Sequence, residues 1–309
     1  MANGKSLKEK FKNLGKLFYE VGDKWSADKA PKLGAALSFY TIFSLAPLLI
    51  IAIAVAGMVF GNEAAQGEIV YQIRDLVGEE GAKIVQTAIK NASEGSSDVI
   101  ATIISMATLV IASTAVFVEL QDSLNKIWRV KRREGNVIKQ TLRERLTSFG
   151  MVVGFGFLLL VSLLVSALLT GLKNFISSYV DIPFFVLEIF NILISIGVIF
   201  VLFTMIYKVL PDVHLAWKDV WRGGLVTTLL FVLGKYLIGL YLGTSSYAST
   251  YGAAGSLAIL LIWIYYSAQI VFLGAEFAYV LTVRYGKGIV PSSNAEKVKD
   301  CEEDEGGIE

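Results

Sequence analysis

Long runs without a charged residue recur along the chain. Three of them cover residues 33–62, 99–118 and 146–172, and they are 30, 20 and 27 residues long. A helix needs about 20 residues to cross the hydrocarbon core of a bilayer, so each run can form a transmembrane helix. The pattern therefore predicts a membrane protein.

Apolar runs bounded by charged or turn residues predict six spans, at 33–60, 98–118, 147–172, 183–208, 219–242 and 255–283. The fifth span is interrupted by Arg222 and Lys235. Without it, the 40 uncharged residues 236–275 would form a single span that contains the turn-rich segment 243–256. Because that length is too great for one span, two spans joined by a loop fit better. The predicted fold class is all-α, a polytopic membrane protein with six transmembrane helices.

Composition and charge support this fold class and add an orientation. Hydrophobic residues make up 54% of the chain and the mean hydropathy is +0.60, which is more apolar than an ordinary soluble domain. The side of the six spans that holds both termini carries 23 lysines and arginines, whereas the opposite side carries four. Cytoplasmic loops are enriched in basic residues, so we expect both termini in the cytoplasm.

The segments outside the spans have patterns of their own. Residues 1–32 carry an apolar stripe at helical spacing with the lysines mostly outside it: Leu7, Phe11, Leu14, Phe18, Val21 and Trp25. We expect an amphipathic helix that lies at the cytoplasmic interface and attracts anionic lipid, or packs on the ends of the bundle, or does both. The outer segment 61–97 is expected to contain one or two amphipathic helices over 63–94.

Three regions follow from these patterns. They are the amphipathic segment 1–32, a six-helix transmembrane domain over 33–285, and a tail over 286–309. The tail ends in "CEEDEGGIE" and has no aromatic residue. Acidic segments without large apolar residues cannot bury enough surface to fold, so the tail is predicted to be disordered.

Polar residues lie at membrane depth in the last two spans. Tyr265, Gln269 and Glu276 share one face of the sixth span through helical spacings. Gln269 is near the predicted midplane, and Glu276 lies ~10 Å closer to the cytoplasm at a rise of ~1.5 Å per residue. The fifth span runs in the opposite direction, which brings Arg222 to the depth of Glu276. We therefore predict an ion pair between Arg222 and Glu276.

The same depth argument predicts a second pair, between Lys235 and Glu188 of the fourth span. Buried ion pairs can fix the register of helices, and intramembrane charges can also line a route for ions or substrates. Both interpretations stay open, and the amount of polarity on this face favours a route.

The first span adds small and polar residues on one side. Gly34, Ser38 and Thr41 share a helix face and are interpreted first as a tight packing surface. Ser38 and Thr41 are also candidates for a polar pathway. Pro47 removes one backbone donor and is predicted to kink the helix.

The chain has few residues for catalysis or metal binding. His214 is the single histidine and Cys301 the single cysteine, which excludes an intrachain disulfide and a multi-histidine or cysteine-rich metal site. No phosphate-binding loop of the form GxxxxGK[ST] and no GxSxG motif occurs. We therefore expect no catalytic residue, no metal and no cofactor. The basic loop 125–145 is interpreted as a topology signal rather than as an RNA-binding segment.

Three stretches resemble a known family. "GAALSFYTIFSLAPLL" at 34–49, "YGAAGSL" at 251–257 and "WIYYSAQIVFLGAEF" at 263–277 are similar to the YihY/BrkB family of bacterial inner-membrane proteins. The resemblance covers about 33–285 and implies the inner membrane as location. Members were once labelled ribonuclease BN, and some were described as serum-resistance factors. The positions that match the family motifs carry no established role: Ser38, Tyr40, Pro47, Gly252, Gly255, Gln269, Gly274 and Glu276.

Transport or translocation of a lipid or small solute is the function that these features favour. A polar face built by the first, fifth and sixth spans would form the route. One alternative is a scaffold or assembly factor whose intramembrane charges form structural pairs. Another is a membrane-tethered ribonuclease that uses the basic loop, which the scattered acidic residues disfavour. The expected partners are membrane lipids, with anionic lipid favoured; homo-oligomer formation stays open, and no specific nucleic acid is expected.

Overall fold

The computed structural model describes residues 3–93, 99–133, 184–244, 253–286 and 288–298, with isolated positions at 146, 150 and 153–154. Its helices and strands are α1 (Asn3–Ala27), α2 (Ala30–Phe60), α3 (Asn62–Ser93), α4 (Val99–Ile127), β1 (Val130–Arg132), α5 (Phe184–Val209), α6 (Trp217–Thr244), α7 (Ala253–Tyr285) and β2 (Ala295–Lys297). The protein is thus mostly helical in the part described.

Five helices lie at predicted spans, namely α2, α4, α5, α6 and α7. Among the described residues, α2, α5 and α7 have a segment long and apolar enough to cross a membrane. The third predicted span, 147–172, lies outside the described residues apart from isolated positions. Within the segment that was predicted to be outer, residues 62–93 form one helix, α3, which contacts α2 and α7.

Helix α7 is the centre of the described bundle, because α1, α2, α3, α4 and α6 all contact it. Small residues make this crowding feasible. Ala268, Ala275 and Ala278 are buried on α7, and they lie in one apolar core with Leu124 of α4 and Val220 of α6. Close approach of helices through small side chains is a common way of packing helices in membranes.

The amphipathic helix α1 packs on the bundle. Leu17 and Val21 are buried against Val280 and Leu281 of α7. The rings of Phe18 and Phe277 have their centres 6.0 Å apart. The predicted packing on the ends of the bundle is therefore confirmed, whereas contact of α1 with lipid stays a prediction.

One end of the bundle, which we call the basal end, is closed by loops and by the tail. Strand β1 pairs antiparallel with β2, with Val130 opposite Lys297 and Arg132 opposite Ala295. A further bridge joins Val213 to Pro291. Residues 288–298 of the tail are therefore ordered, and the prediction of a disordered tail over 286–309 is wrong for them.

Residues 288–298 are ordered because of local packing, although the overall composition of the tail predicts disorder. Ala295 is 1% exposed and belongs to the main apolar core, and Ile289 packs against that core. The backbone N–H of Ser292 also donates to the carbonyl of Asp212. Residues 299–309 lie outside the described part of the chain.

Candidate functional site

Glu276 is the most deeply buried charged residue in the described part of the chain. Its exposed fraction is 0%, between the buried Ala275 and Ala278 on α7. No N–H or hydroxyl group of the described residues donates to its carboxylate oxygens, and the hydrogen-bond partner that it does have is the carboxyl of Asp28. An ionised carboxylate without donors in an apolar setting costs several kcal/mol, so this position demands an explanation.

The charged neighbours of Glu276 come from other elements at the basal end. They are Asp28 from the junction of α1 and α2, Arg129 from the end of α4, and Lys24 from α1. Asp28 is 2% exposed. Its Oδ1 lies 2.7 Å from Nη1 of Arg129, and its Oδ2 has no donor within the described residues. We call Asp28, Arg129 and Glu276 the buried charge cluster.

Backbone geometry places two members of this cluster. Lys29, next to Asp28, has φ of 56°, and Arg129 itself has φ of 54°. These two are the non-glycine residues with positive φ in the described part of the chain. A left-handed conformation costs a non-glycine residue about 1 kcal/mol, and such strain often marks functional positions. The turns that end α1 and α4 are thus bent so that Asp28 and Arg129 meet.

The electrostatics of the cluster are unbalanced. Burial alone would lower the pKa of Arg129, but Asp28, Tyr279 and Glu276 outweigh it and raise that pKa, so the guanidinium keeps its charge. Lys24 stands with its ammonium 5.9 Å from the centre of the Tyr279 ring. Two buried carboxyls therefore share one guanidinium, with Lys24 at the edge. Such a site can hold a proton between Asp28 and Glu276, or accept a cationic group.

The predicted pair between Arg222 and Glu276 is wrong. Arg222 is exposed, and its guanidinium lies 5.9 Å from the centre of the Trp221 ring. Gly223 faces α7 instead, since a Cβ built on it would lie 2.7 Å from Cβ of Ala278 and 2.9 Å from the carbonyl oxygen of Gly274. Arg222 and Glu276 lie at similar levels along the bundle, since Gly223 is level with Gly274 and Ala278, but successive residues of a helix point ~100° apart, and Arg222 is one residue off the contact.

The second predicted pair stays a prediction. Glu188 belongs to α5, but its side chain is outside the described residues. Lys235 lies on α6 and is half-buried.

Gln269 and Tyr265 face α2, as the predicted inward face requires. The side-chain amide of Gln269 donates to the carbonyl of Ala30 at 3.4 Å, while its Oε1 is buried without a donor in the described structure. Gly34 lies directly beneath this side chain, because a Cβ there would be 1.9 Å from Nε2 of Gln269 and 3.4 Å from the Tyr265 ring. The polar face of α7 therefore looks toward α1 and α2 and not toward α6.

Ser38 and Thr41 bond within their own helix. The hydroxyl of Ser38 donates to the carbonyl of Gly34 at 2.7 Å, and that of Thr41 donates to the carbonyl of Leu37 at 2.6 Å. These bonds support the packing interpretation for this side of α2. Pro47 lies inside α2, which continues through it to Phe60; the kink stays a prediction.

A second polar network lies nearby at the basal end. Arg132 contacts Oδ1 of Asp122 at 2.9 Å and Oδ2 of Asp212 at 3.4 Å. Asn125 donates to Asp212 at 2.8 Å and accepts the backbone N–H of Asp212 at 2.7 Å. The pKa of Asp122 is raised, chiefly by burial and also by Asp212, although Arg132 lowers it. This network ties α4, β1 and the loop before α6 together.

Sequence reasoning missed Asp28, Arg129 and Lys24. All three lie in segments whose charges were assigned to membrane orientation as a group. The sequence did contain one signal for these partners. The predicted position of Glu276 is only one or two helical turns from the cytoplasmic boundary. Residues in the flanking loops can reach a carboxylate at that depth.

Comparison with known proteins settles the family. The family model for the virulence factor BrkB matches residues 21–299. The chain belongs to the BrkB family. The resemblance inferred from the three motifs is thereby confirmed, and two of those motifs touch each other where Gly34 meets Gln269.

Curated relatives of this BrkB-family chain are named as membrane proteins. The UPF0761 membrane protein RSc1559 of Ralstonia nicotianae is 30% identical over 260 residues, covering 83% of this chain and 56% of the relative. UPF0761 membrane proteins of Azotobacter vinelandii and Tolumonas auensis are each 27% identical. The alignment covers 60% of the Azotobacter protein and 81% of the Tolumonas protein.

The chain thus spans less than two thirds of the Ralstonia and Azotobacter proteins. No solved structure matches it. These comparisons make the chain an integral membrane protein of the BrkB family.

Proposed function

We propose that this BrkB-family protein translocates a lipid or a small solute through the polar face of α7, and that the buried charge cluster is the binding or coupling element of that route. The single observation behind the proposal is Glu276, which is fully buried and whose hydrogen-bond partner among the described residues is another carboxyl, that of Asp28, instead of an N–H or hydroxyl donor. Intramembrane ionisable groups of this kind commonly mark ion, proton or substrate pathways. The proposal places the protein in the bacterial inner membrane with six spans and with its basal end and both termini in the cytoplasm.

The route we propose follows one face of α7. Gln269 and Tyr265 lie against Gly34 of α2, and Glu276 follows about two turns closer to the basal end, beside Asp28 and Arg129. The buried Oε1 of Gln269 and both oxygens of Glu276 receive no N–H or hydroxyl donor in the part that the structure describes. A substrate with hydrogen-bond donors or positive charge, or a proton, could satisfy them.

A scaffold is the competing proposal. A purely structural cluster would be expected to give each buried carboxylate a donor, because an unpaired buried charge destabilises the fold. Asp28 has Arg129 as a direct partner at 2.7 Å, but Glu276 has no cationic, N–H or hydroxyl partner in the described structure and shares a hydrogen bond with the Asp28 carboxyl. The imbalance therefore favours transport over a scaffold.

A membrane-tethered ribonuclease has weaker support. Asp122 and Asp212 do converge beside the basic loop, as a nuclease would need. However, both carboxylates contact the Arg132 guanidinium, and no group of three or more metal-ligating side chains is found among the described residues. We therefore propose that the protein is not an enzyme.

The proposal is tested with the full chain in liposomes of phosphatidylethanolamine and phosphatidylglycerol that contain a trace of fluorescent phospholipid. Chemical quenching from outside measures how fast inner-leaflet lipid reaches the outer leaflet, and a trapped pH dye measures proton movement. We expect Glu276→Gln to slow the process that the wild type catalyses by about tenfold or more, equivalent to about 1.4 kcal/mol of barrier. Glu79→Gln, which removes an exposed carboxylate paired with Arg74, is the matched control. Wild-type protein that moves neither lipid nor protons would favour the scaffold.

A further inference from the structure

An apolar groove lies between α5 and α6, on a different side of α6 from the contact with α7. Its volume is about 340 Å³, and it is lined by Phe200, Val201, Thr204, Met205, Trp217, Lys218 and Trp221. We call it the α5–α6 groove. Volumes above about 300 Å³ are in the range of sites that hold small ligands.

Tryptophans and cations alternate along the rim of the groove. Trp217 and Trp221 are four residues apart on α6, so they share a face, and they are 59% and 42% exposed. Lys218 and Arg222 have the same spacing on the adjacent stripe, and both are exposed. The Arg222 guanidinium stands 5.9 Å from the centre of the Trp221 ring.

The rim carries an excess of positive charge. Lys208 at the end of α5 has its ammonium 6.0 Å from the centre of the Trp217 ring. The acidic residue of this turn, Asp219, accepts the backbone N–H of Ala216 at 3.3 Å. The ammonium of Lys208 donates to the carbonyl of Leu215, so Lys218 and Arg222 are the exposed cations of the rim, against one carboxylate that is engaged with the backbone.

This arrangement matches the chemistry of a lipid at the membrane boundary. Tryptophan prefers the level of the headgroups, and lysine or arginine beside it extends toward the phosphates. An apolar groove that continues from such a rim into the bilayer offers a place for an acyl chain. Each cation near an anionic headgroup adds about 1 kcal/mol of attraction.

We propose that the α5–α6 groove binds an anionic phospholipid, with an acyl chain along Val201 and Met205 and the phosphate near Lys218 and Arg222. The groove is expected to prefer anionic over zwitterionic lipid, because a zwitterionic headgroup gains less electrostatic attraction from the basic rim. The site is separate from the polar face of α7, because Gly223 is the residue of this turn that faces α7. The proposal therefore stands whether or not the protein is a transporter.

The first test is native mass spectrometry of the full-length protein with equal amounts of phosphatidylglycerol and phosphatidylcholine of matched chains. We expect the wild type to retain phosphatidylglycerol preferentially, and Lys218→Gln with Arg222→Gln to reduce that preference about tenfold. The control pair is Lys126→Gln with Lys297→Gln, which removes the same charge from exposed positions on α4 and β2. An unchanged preference in the groove variant, or an equal loss in the control, overturns the proposal.

The second test locates the lipid and needs no change at the basic residues. Phosphatidylglycerol with brominated acyl chains should quench tryptophan fluorescence of the wild type more strongly than brominated phosphatidylcholine does. Replacing Trp217 and Trp221 with phenylalanine should remove most of that difference, although Trp25, Trp128 and Trp263 remain. If the difference is absent in the wild type, or survives the replacement, the groove is not the site.

Discussion

Arg129 contacts Asp28 at 2.7 Å and so joins the end of α4 to the junction between α1 and α2. Both residues are placed by turns with left-handed backbone, at Arg129 itself and at Lys29. Glu276 of α7 adds a second carboxylate next to this pair. Four helices therefore meet around one guanidinium at the basal end of the bundle.

This relationship predicts the effect of removing the guanidinium. Arg129→Gln removes the direct cationic partner of the buried Asp28 and a charge that also acts on Glu276, which should lower the free energy of unfolding by about 3 kcal/mol. Thermal unfolding in detergent measures the change in the free energy of unfolding, and it is followed by a fluorescence signal that does not depend on the cysteine thiol. Arg74→Gln is the control, because the exposed ion pair between Arg74 and Glu79 is worth at most about 1 kcal/mol. Equal stability of the Arg129 and Arg74 variants would contradict the importance of the pair.

Gly34 gives a sharper test of the contact between α2 and α7. Gly34→Ala should destabilise the protein by about 1–3 kcal/mol, because the new Cβ collides with the Gln269 amide at 1.9 Å. Gly197→Ala should be neutral or stabilising, since Gly197 has no atom within 4 Å of the position of a Cβ and alanine favours a helix by about 1 kcal/mol. Combining Gly34→Ala with Gln269→Ala should recover part of the loss. If Gly34→Ala matches the Gly197 control, the two helices do not approach as described.

The packing of α6 on α7 predicts a pattern of cross-linking. In a chain with Cys301→Ser, cysteines at positions 223 and 278 should form a disulfide on mild oxidation after a shift of about 1 Å between the helices, because their Cβ positions lie 2.7 Å apart, closer than the roughly 3.5–4.5 Å of an unstrained disulfide. Cysteines at 222 and 276 should not, since Arg222 points away from α7. When the chain is cleaved between the two positions, gel mobility shows whether a disulfide still holds the two fragments together. A disulfide at 222 and 276, with none at 223 and 278, would restore the pair that depth alone suggested.

Much of the helical fold could be predicted from the sequence, because a long run of apolar residues indicates each span. The relative level of residues on α6 and α7 was predictable as well, since the rise per residue is fixed. Rotation about the helix axis was not, because α6 is apolar on most sides and its pattern does not say which side faces α7. Gly223 and Gly274 mark the sides of α6 and α7 that face each other, but a small residue in a sequence can face either lipid or protein. Arg222 was therefore assigned to a contact that its neighbour makes.

The cluster around Arg129 was beyond sequence reasoning for a different reason. Asp28 and Arg129 meet through turns at the ends of two helices, about 100 positions apart in the chain. Hydrophobic periodicity specifies faces of helices and does not specify how loops meet. The ordered tail is a similar case, because pairing of β1 with β2 depends on partners far apart in sequence.

The orientation proposed for the membrane has a direct measurement. A reporter that is active only outside the cytoplasm should be active when fused after Gly243, at the end of α6, and inactive when fused after Ala27, at the end of α1. The reason is the unequal division of lysine and arginine between the two sides. Activity of the Ala27 fusion together with inactivity of the Gly243 fusion would reverse the orientation.

The central claim is that Glu276 serves transport and not stability. It is tested most directly by measuring lipid and proton movement and the unfolding temperature of Glu276→Gln in one preparation. Glutamine keeps the size of the side chain and replaces a buried carboxyl that receives no N–H or hydroxyl donor within the described structure. We predict an unfolding temperature equal to or above that of the wild type, with movement slowed about tenfold or more. Unchanged movement together with a lower unfolding temperature would show that Glu276 holds the helices together, and would contradict the account.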